Sequence, residues 1–301
     1  MIQETRQKGR IQKGIAGFYE VRTENEIIYQ CKAKGIFRKN KQVPLVGDFV
    51  AFEILDEKEK KGNIVELFSR KNELFRPPIA NVDQVFLFSS LSSPRTNFSL
   101  LDRILIFFTY QNIPVSIIFN KEDMVSEEEK NKMFAYYRNT SYPIWGNSSL
   151  SNENKKEHLA LLKGKTTAFV GVSGVGKSTF TNRFFTENKQ ETGALSKNQR
   201  GKQTTRHSEL LYIDQESIVV DTPGFSFFSF TEIFAQDLAS YYPEYQEKKQ
   251  DCHFLGCVHV HEPKCKIKEM VAQGIFSKER YQNYCKLYEE RRLADQMKGK
   301  K

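Results

Sequence analysis

The fold of this chain is decided by the stretch Gly171-Val172-Ser173-Gly174-Val175-Gly176-Lys177-Ser178, which Thr179 follows. The stretch matches the pattern G-x-x-x-x-G-K-[ST] at every constrained position. A short β-branched and apolar segment, residues 166–170, precedes it, and residues 178–185 can open a helix. Between a strand and a helix, such glycines let backbone N–H groups surround a polyphosphate, and the helix N-terminus adds a partial positive charge. We therefore expect residues 171–179 to form a phosphate loop that binds a nucleoside triphosphate.

Side chains in and after this loop have predicted roles at the phosphates. Lys177 would contact the β- and γ-phosphate oxygens, and Ser178 would bind Mg²⁺ through its hydroxyl. Farther along, a polar segment at residues 193–207 contains Thr204-Thr205. The Thr205 hydroxyl could close over Mg²⁺ and the γ-phosphate. The sequence thus predicts that Mg²⁺ accompanies the nucleotide.

A second phosphate-side motif follows a β-branched strand at residues 217–220, which runs into Asp221-Thr222-Pro223-Gly224. Asp221 would hold Mg²⁺ through a water molecule, and the backbone amide of Gly224 would contact the γ-phosphate. An Asp-x-Pro-Gly segment can also be an ordinary turn. Its position after a strand, in a chain with a phosphate loop, favours the magnesium role.

Base selection is predicted by the segment Asn120-Lys121-Glu122-Asp123, which follows a buried strand at residues 115–119. Asp123 can accept two hydrogen bonds from guanine, whereas adenine presents an acceptor where guanine has a donor. A buried polar group left unpaired costs ~1–3 kcal/mol, so this contact can select guanine. The Lys121 stem would pack along the base, and Asn120 would tie this segment to the phosphate loop. Alternatively, Asp123 is a helix N-cap that starts the charged helix at Ser126.

The surrounding pattern places this segment in an α/β sheet. Residues 84–88 and 115–119 are typical of buried strands, and residues 100–108 predict an apolar helix between them. Strands that alternate with helices indicate a parallel sheet. After a further predicted strand at residues 142–145, Ser148 could contact the guanine carbonyl, or it could belong to an ordinary Ser-rich turn.

The first 70 residues predict a different architecture. Residues 8–68 contain five short strand-like segments separated by Gly, Asn and charged turns, which indicates a small barrel of the oligonucleotide-binding (OB) type. Phe37 could stack on a base while its basic neighbours contact phosphates, namely Lys32, Lys34, Arg38, Lys39 and Lys41. A purely structural barrel would give the same pattern.

Cysteines cluster near the end of the chain, where Cys252, Cys257 and Cys265 surround His259. The spacing Cys-x4-Cys-x-His-x5-Cys supplies four ligands for a structural, tetrahedral Zn²⁺ and leaves no open position for catalysis. His253 and His261 are rival ligands. A zinc ion would stabilise a domain too small for a full core. A last helix is predicted over residues 278–297, capped by Ser277; its tyrosine-bearing side (Tyr281, Tyr284, Tyr288, with Cys285) is interpreted as a docking surface.

Charge and hydropathy limit the possible partners and location. The net charge is +9, and residues 1–70 and 277–301 each carry four more basic than acidic residues. Basic ends favour a polyanionic partner such as nucleic acid, although solvated surface charge would look the same. No apolar run approaches the ~20 residues that a bilayer requires, and the amino terminus lacks the apolar core of a secretion signal. We expect a cytoplasmic protein that does not contact membranes.

The motifs occur in an unusual order, because Asn120–Asp123 precede the phosphate loop. With a barrel before them and a cysteine cluster after them, they resemble the RsgA/YjeQ family of circularly permuted ribosome-assembly GTPases. The resemblance implies an enzyme that binds the small (30S) ribosomal subunit and its 16S rRNA, and we expect it to be a monomer. It implies that the subunit stimulates hydrolysis of GTP to GDP late in its own maturation. It also favours His259 as the fourth zinc ligand.

The resemblance leaves the catalytic water without a clear partner. Many family members place a His just before the Thr pair, and this chain has Gln203 there. Gln can also orient water, so Gln203 joins Lys177 and Thr205 as a predicted catalytic residue. Ras-like enzymes place a water-orienting Gln where this chain has Phe225. We therefore expect slow hydrolysis by the protein alone.

Together these patterns predict a multidomain α+β protein. Its expected parts are an RNA-binding OB-fold barrel at residues 1–70, a circularly permuted P-loop α/β GTPase domain at 71–230, and a helical zinc-binding domain at 231–301. The alternative function is an RNA-binding assembly placeholder in which the nucleotide is mainly structural. A P-loop kinase or ATPase is disfavoured by Asp123.

Overall fold

The structure is a computed structural model that describes residues 6–35, 37, 42–75, 77–148, 154–185, 208–221 and 232–298. Its strands are, in chain order, β1 (Arg6–Ile15), β2 (Phe18–Arg22), β3 (Ile28–Ala33), β4 (Phe49–Asp56), β5 (Lys61–Leu67), β6 (Glu73–Phe75), β7 (Pro78–Ala80), β8 (Gln84–Ser90), β9 (Val115–Asn120), β10 (Ile144–Asn147), β11 (Thr166–Val170), β12 (Glu209–Tyr212) and β13 (Ile218–Asp221). Its α-helices are α1 (Phe98–Tyr110), α2 (Glu127–Ala135), α3 (Lys155–Leu162), α4 (Lys177–Phe185), α5 (Pro243–Gln246), α6 (Lys266–Ala272) and α7 (Lys278–Lys298). Short 3-10 helices occupy Glu122–Met124, Ala235–Tyr241 and Lys249–Asp251.

Contacts group the chain into two compact units that do not follow chain order. The first unit contains residues 1–86 and 151–225, and the second contains residues 87–150 and 226–301. The domain boundaries at residues 70 and 230 stay predictions.

The first unit begins with a closed five-stranded barrel. Its strands are ordered β1-β2-β3-β5-β4, and β4 pairs back with β1 to close the barrel. Side chains of β3 alternate between exposed and buried, so that Tyr29 and Cys31 point into a core with Val21 and Phe52. The predicted OB-type barrel is therefore confirmed. Phe37 is only 5% exposed and packs inside, so its predicted role as a stacking surface for a base is wrong for the structure described.

The rest of the first unit is a sheet that continues from the barrel. β11 and β13 are parallel, β12 is antiparallel to β13, and β12 pairs with the barrel strand β1 at Lys13 and Glu209. Every residue of β11 is buried, which explains its apolar, β-branched sequence. The sequence analysis did not predict β12.

The second unit contains the other strands of the α/β region. β9 and β10 are parallel, with Asn120 opposite Asn147 at their carboxyl ends. Asn97 caps the N-terminus of helix α1, because its side chain accepts a hydrogen bond from the Leu100 amide, and the helix buries Ile104, Leu105 and Phe108. The predicted alternation of strands and helices is confirmed.

The C-terminal part of the second unit packs around aromatic residues. Tyr242, Tyr245 and Tyr284 are almost completely buried, with ring centroids 5.0–5.2 Å apart. Ser277 caps α7 as predicted, because its hydroxyl accepts the Arg280 amide hydrogen. The tyrosine-bearing side of α7 packs into this core, so the predicted docking surface is wrong. None of the described helices combines the length and the apolar character that crossing a bilayer requires.

A buried ion cluster joins α1 to the C-terminal helices. Arg280 of α7 donates to Glu244 of α5 at 2.7 Å and to Asp102 of α1, and these three side chains are at most 4% exposed. Asp102 also accepts hydrogen bonds from Tyr136 and Tyr137. Burial would lower the pKa of Arg280, but the two carboxylates outweigh it and keep that pKa well above its usual value. Arg280 is therefore charged, and its contacts fix α7 against the α/β part of its unit.

Candidate nucleotide and metal sites

The predicted phosphate loop lies between β11, which ends at Val170, and α4, which begins at Lys177. Backbone φ is positive at Gly171, Gly174 and Gly176, with values of 151°, 82° and 97°. Residues with a Cβ rarely adopt these angles, so the glycines of the motif are required by the path of the backbone. The N-terminal amides of α4 then face the loop, as anion binding requires.

The side chains of the loop are arranged for a polyphosphate. Lys177 is 8% exposed, and its Nζ donates to the carbonyl oxygens of Gly171 (2.7 Å) and Val172 (3.1 Å). Its positive charge is thus held at the loop itself. Ser178 and Thr179 are exposed on the first turn of α4, where a hydroxyl can reach a metal ion.

The predicted magnesium residue Asp221 is the last residue of β13. In the sheet register it pairs with Phe169, two residues before the loop begins at Gly171. The carboxyl ends of two parallel strands therefore bring Asp221 and the phosphate loop to one edge of the sheet. The other predicted phosphate contacts, Gln203, Thr205 and Gly224, lie outside the described residues.

The predicted guanine segment begins at a buried polar pair. The Asn120 side-chain oxygen accepts hydrogen bonds from Asn147 Nδ2 (2.7 Å) and from the Lys121 amide (2.9 Å). Its carbonyl oxygen accepts from the Leu91 amide at 2.9 Å. The sequence did not predict the contact of Asn147 with Asn120, because that contact depends on the parallel register of β9 and β10. These contacts hold the start of the guanine segment rigidly.

Lys121 and Asp123 occupy a tight turn after β9. Lys121 has φ of 64°, and its Nζ donates to the Ser93 carbonyl oxygen. Asp123 is exposed within the 3-10 turn. Helix α2 is capped by Ser126, which forms a capping box with Glu129. The alternative role of Asp123 as the helix N-cap is therefore wrong, and its carboxylate is available to a ligand.

Glu122 is positioned by a glycine that the sequence analysis also missed. Its carboxylate pairs with Lys130 at 3.2 Å, and a Cβ at Gly146 would lie 2.2 Å from Glu122 Oε2. Only glycine leaves room for the carboxylate in this position. Ser148, the other predicted guanine contact, is buried two residues later.

The structure brings the four predicted metal ligands together. The ligand atoms of Cys252, Cys257, His259 and Cys265 all lie within 4.8 Å of one another. His259 Nδ1 is 3.3 Å from Cys265 Sγ and 3.6 Å from Cys252 Sγ. A tetrahedral zinc site with metal–sulfur bonds of ~2.3 Å has sulfur–sulfur edges of about 3.8 Å, so the cluster fits such an ion.

The protonation chemistry and the nearby residues also suit a metal. Burial raises the pKa of Cys257 to about 12, so the sulfur keeps its proton until a metal replaces it. Burial lowers the pKa of His259, which leaves a neutral imidazole at pH 7. Tyr281 and Tyr284 donate to the carbonyl oxygens of His259 and Val258 and so fix the ligand loop.

The rival histidines face elsewhere. His261 is exposed and lies 3.2 Å from Glu289, and His253 is exposed beside the Phe254 ring. Among the described residues, the structure therefore groups His259, and not its two neighbours, with the cysteines. The four side chains could hold a metal ion.

The fold and these sites define a P-loop GTPase whose motifs occur in circularly permuted order. A family model described as RsgA GTPase matches residues 67–231, and one described as RsgA N-terminal domain matches residues 8–64. The chain belongs to the RsgA family of GTPases and is a GTP-hydrolysing enzyme.

Curated relatives and solved structures agree with this family. Relatives named "Small ribosomal subunit biogenesis GTPase RsgA" are 42% identical over 293 residues (Agathobacter rectalis) and 44% identical over 284 residues (Alkaliphilus metalliredigens). Each alignment covers 94% of this chain and 97% of the relative. The structure of YloQ, described as a circularly permuted GTPase, is similar with a TM-score of 0.76 and 35% identity, covering 96% of both chains. The structure of YjeQ from Thermotoga maritima is similar with a TM-score of 0.75 and 30% identity, covering 95% of this chain and 98% of that one.

Proposed function

We propose that this protein is a GTPase of ribosome assembly that binds the small (30S) subunit and its 16S rRNA and acts late in maturation. The observation that carries the proposal is the similarity over 94% of the chain to relatives named for small-subunit biogenesis. The closed barrel and the basic ends of the chain support an RNA partner. The protein acts as a cytoplasmic monomer, and it releases GDP and phosphate.

In this proposal, the nucleotide is contacted by the guanine segment and by the phosphate loop. Asn120, Lys121, Asp123 and Ser148 contact guanine, and Glu122 supports their turn. The phosphate loop, residues 171–179, binds the phosphates together with the Gly224 amide. Mg²⁺ is held by the residues predicted for it, namely Ser178, Thr205 and Asp221. The cysteine cluster holds one structural Zn²⁺.

Hydrolysis is coupled to release through chain connectivity. The segment that follows Asp221, including Gly224, leads directly into the C-terminal part of the chain. A change in this segment when the γ-phosphate leaves is transmitted to that part, and it drives release of the factor from the subunit.

The test is GTP hydrolysis by the purified protein, with and without purified small subunits. We expect a slow basal rate that rises manyfold on the subunit, because Phe225 occupies the position of a water-orienting Gln. A Gln203→Ala variant should lose most of this turnover while keeping its GTP affinity. Equal turnover in this variant and the wild type would remove Gln203 from the catalytic residues.

A second candidate function is an RNA-binding placeholder in which the nucleotide is mainly structural. The same observation, Phe225 in place of a catalytic Gln, favours it. An unchanged hydrolysis rate with intact binding to the subunit would support the placeholder over the GTP-driven switch.

A further inference from the structure

A cavity of about 700 Å³ lies in the first unit, between the barrel and the start of the adjoining sheet. Barrel strands β1, β2 and β4 form one wall, and the starts of β11 and β13 with the end of β12 form another. The volume is within the range of pockets that hold small organic ligands. Thr166 lines the cavity at the start of β11, whereas the phosphate loop follows its end. Five residues of extended strand separate Thr166 from Gly171, about 16 Å, so this is not the GTP site.

Three cation–aromatic pairs line this one cavity. The guanidinium of Arg22 lies over the Tyr212 ring at 4.2 Å, and that of Arg10 lies over Phe49 at 4.8 Å. Lys8 lies 5.6 Å from the centre of the Phe68 ring. Aromatic rings and guanidinium planes are the surfaces on which nucleic-acid bases stack.

Arg10 brings a buried positive charge to the cavity. It is 9% exposed and donates to three uncharged oxygens, those of Gly47, Thr166 and Asn81. The neighbouring carboxylates have other cations as partners, since Arg70 pairs with Asp48 and Lys71 pairs with Asp83. Arg10 thus contacts no carboxylate within hydrogen-bond distance among the described residues.

The remaining lining residues decide between a base and a simple anion. Four acidic side chains line the cavity together with Lys8, Arg10, Arg22 and Lys71: they are Glu24, Glu26, Asp83 and Glu216. The formal charges balance, which disfavours free phosphate as the ligand. A nucleobase carries both donors and acceptors on its edge, so it suits a planar, aromatic cavity with both charge signs at its wall.

We propose that this cavity binds one unstacked nucleotide of single-stranded RNA, with its base against Phe49 and Tyr212 and its phosphate toward Lys8. The inference rests on the proposed RNA partner and adds a specific binding position to it. A free mononucleotide shares the same chemistry, and the experiment below separates the two sources.

The test is photocrosslinking of the full-length protein to a nine-residue oligouridylate that contains 4-thiouridine, with GDP and Mg²⁺ in excess to fill the phosphate loop. We expect crosslinked peptides that contain Phe49, Phe68 or Tyr212. In fluorescence anisotropy, Phe49→Ala should weaken oligonucleotide binding about tenfold, in line with the loss of one base stack.

Phe18→Ala is the matched control. Phe18 is 53% exposed, close to the 47% of Phe49, and also pairs with a cation, Lys32, but it does not line the cavity. The affinity of Phe18→Ala for the oligonucleotide should differ from that of the wild type by less than twofold.

Two results would contradict the proposal in different ways. Crosslinks elsewhere, with wild-type affinity in Phe49→Ala, would overturn the assignment of RNA binding to this cavity. Displacement of the oligonucleotide by an equal concentration of UMP would replace RNA with a free nucleotide as the occupant. A parallel assay of the same protein, with small subunits and with GTP in place of GDP, separates the two proposals. Stimulated hydrolysis without crosslinks in the cavity overturns only the cavity proposal, whereas loss of both overturns the proposed function.

Discussion

The barrel and the C-terminal part of the chain are stabilised by different means. The barrel closes a ladder of strands around apolar side chains such as Val21 and Phe52, so its own backbone and core hold it together. The C-terminal part has short helices, a cluster of metal ligands and a buried ion cluster. Its stability therefore depends on these specific contacts in addition to its aromatic core, whereas that of the barrel rests on its strand pairing and apolar core.

The largest effect is expected from removal of a metal ligand. Cys257→Ser should abolish metal binding and unfold the C-terminal part, because metal binding contributes ~10–16 kcal/mol to folding in small zinc domains. GTP binding should remain largely intact. Zinc content, limited proteolysis and GTP affinity measure these effects.

Cys285→Ser is the control, since Cys285 packs beside the same core but is not in the ligand cluster. It should retain one zinc per chain. A normal zinc content in Cys257→Ser would contradict the ligand set.

The next effect comes from the buried ion cluster. Arg280→Met leaves Asp102 and Glu244 buried without their cation and should destabilise the second unit by ~3–5 kcal/mol in denaturant unfolding. Arg292→Met is the control, because Arg292 is 42% exposed in its pair with Glu289 and should lose only ~0–1 kcal/mol. Equal losses in the two variants would show that the cluster is not a source of stability.

The stability of the Arg280→Met variant should depend on pH in a defined direction. Burial raises the pKa of Asp102, and Arg280 opposes this shift. The folded-state pKa of Asp102 is already above its unfolded value with Arg280 present, and loss of Arg280 raises it further, so the ionised form becomes more destabilising in the variant. The deficit relative to wild type should shrink as pH falls from 8 to 5. A deficit that grows toward acid pH would contradict this assignment.

A smaller effect, on specificity instead of stability, tests the exposed carboxylate of the guanine segment. Asp123→Asn should shift preference from GTP toward xanthosine triphosphate, with a change equivalent to ~1–3 kcal/mol in relative affinity. Competition binding measures the ratio, and Glu127→Gln, on the first turn of α2, is a charge-matched control. Unchanged guanine selectivity would remove Asp123 from the proposed contacts.

The smallest effect is expected at Gly146. An added methyl group would clash only with the end of the Glu122 side chain, which can move, and would make an ordinary contact with Phe134. Gly146→Ala should therefore keep its stability while GTP affinity falls a few-fold. Gly35→Ala is the control, since a Cβ there meets no atom within 4 Å. A large loss of stability in Gly146→Ala would show that the backbone, and not Glu122, is displaced.

The sequence was informative where a function depends on local spacing. The glycines of the phosphate loop and the cysteine pattern are each contained in fewer than 15 residues, and the structure gives both the expected local form. The roles of Asn147 beside Asn120 and of Gly146 beside Glu122 were not predicted, because they come from the register of β9 against β10 and the packing of the turn after β9. The predicted roles of Phe37 in base stacking and of the α7 tyrosines in docking were wrong for a related reason, because the sequence pattern does not show which residues pack over them.

Long-range contacts were the least predictable. Arg280 and Asp102 are 178 residues apart in the chain, and no local motif links them. The cation–aromatic pairs of the cavity likewise come from distant segments, since Arg22 and Tyr212 meet only when the barrel strand β1 pairs with β12. Such contacts require the tertiary structure.

The pairing of β1 with β12 has a practical consequence for work on fragments of this protein. Within its unit, β12 is hydrogen-bonded to β13 on one side and to the barrel on the other. A fragment that starts at residue 71 would leave one side of β12 uncovered. Exposed strand edges recruit strands from other molecules, so such a fragment should self-associate unless a new partner covers that edge.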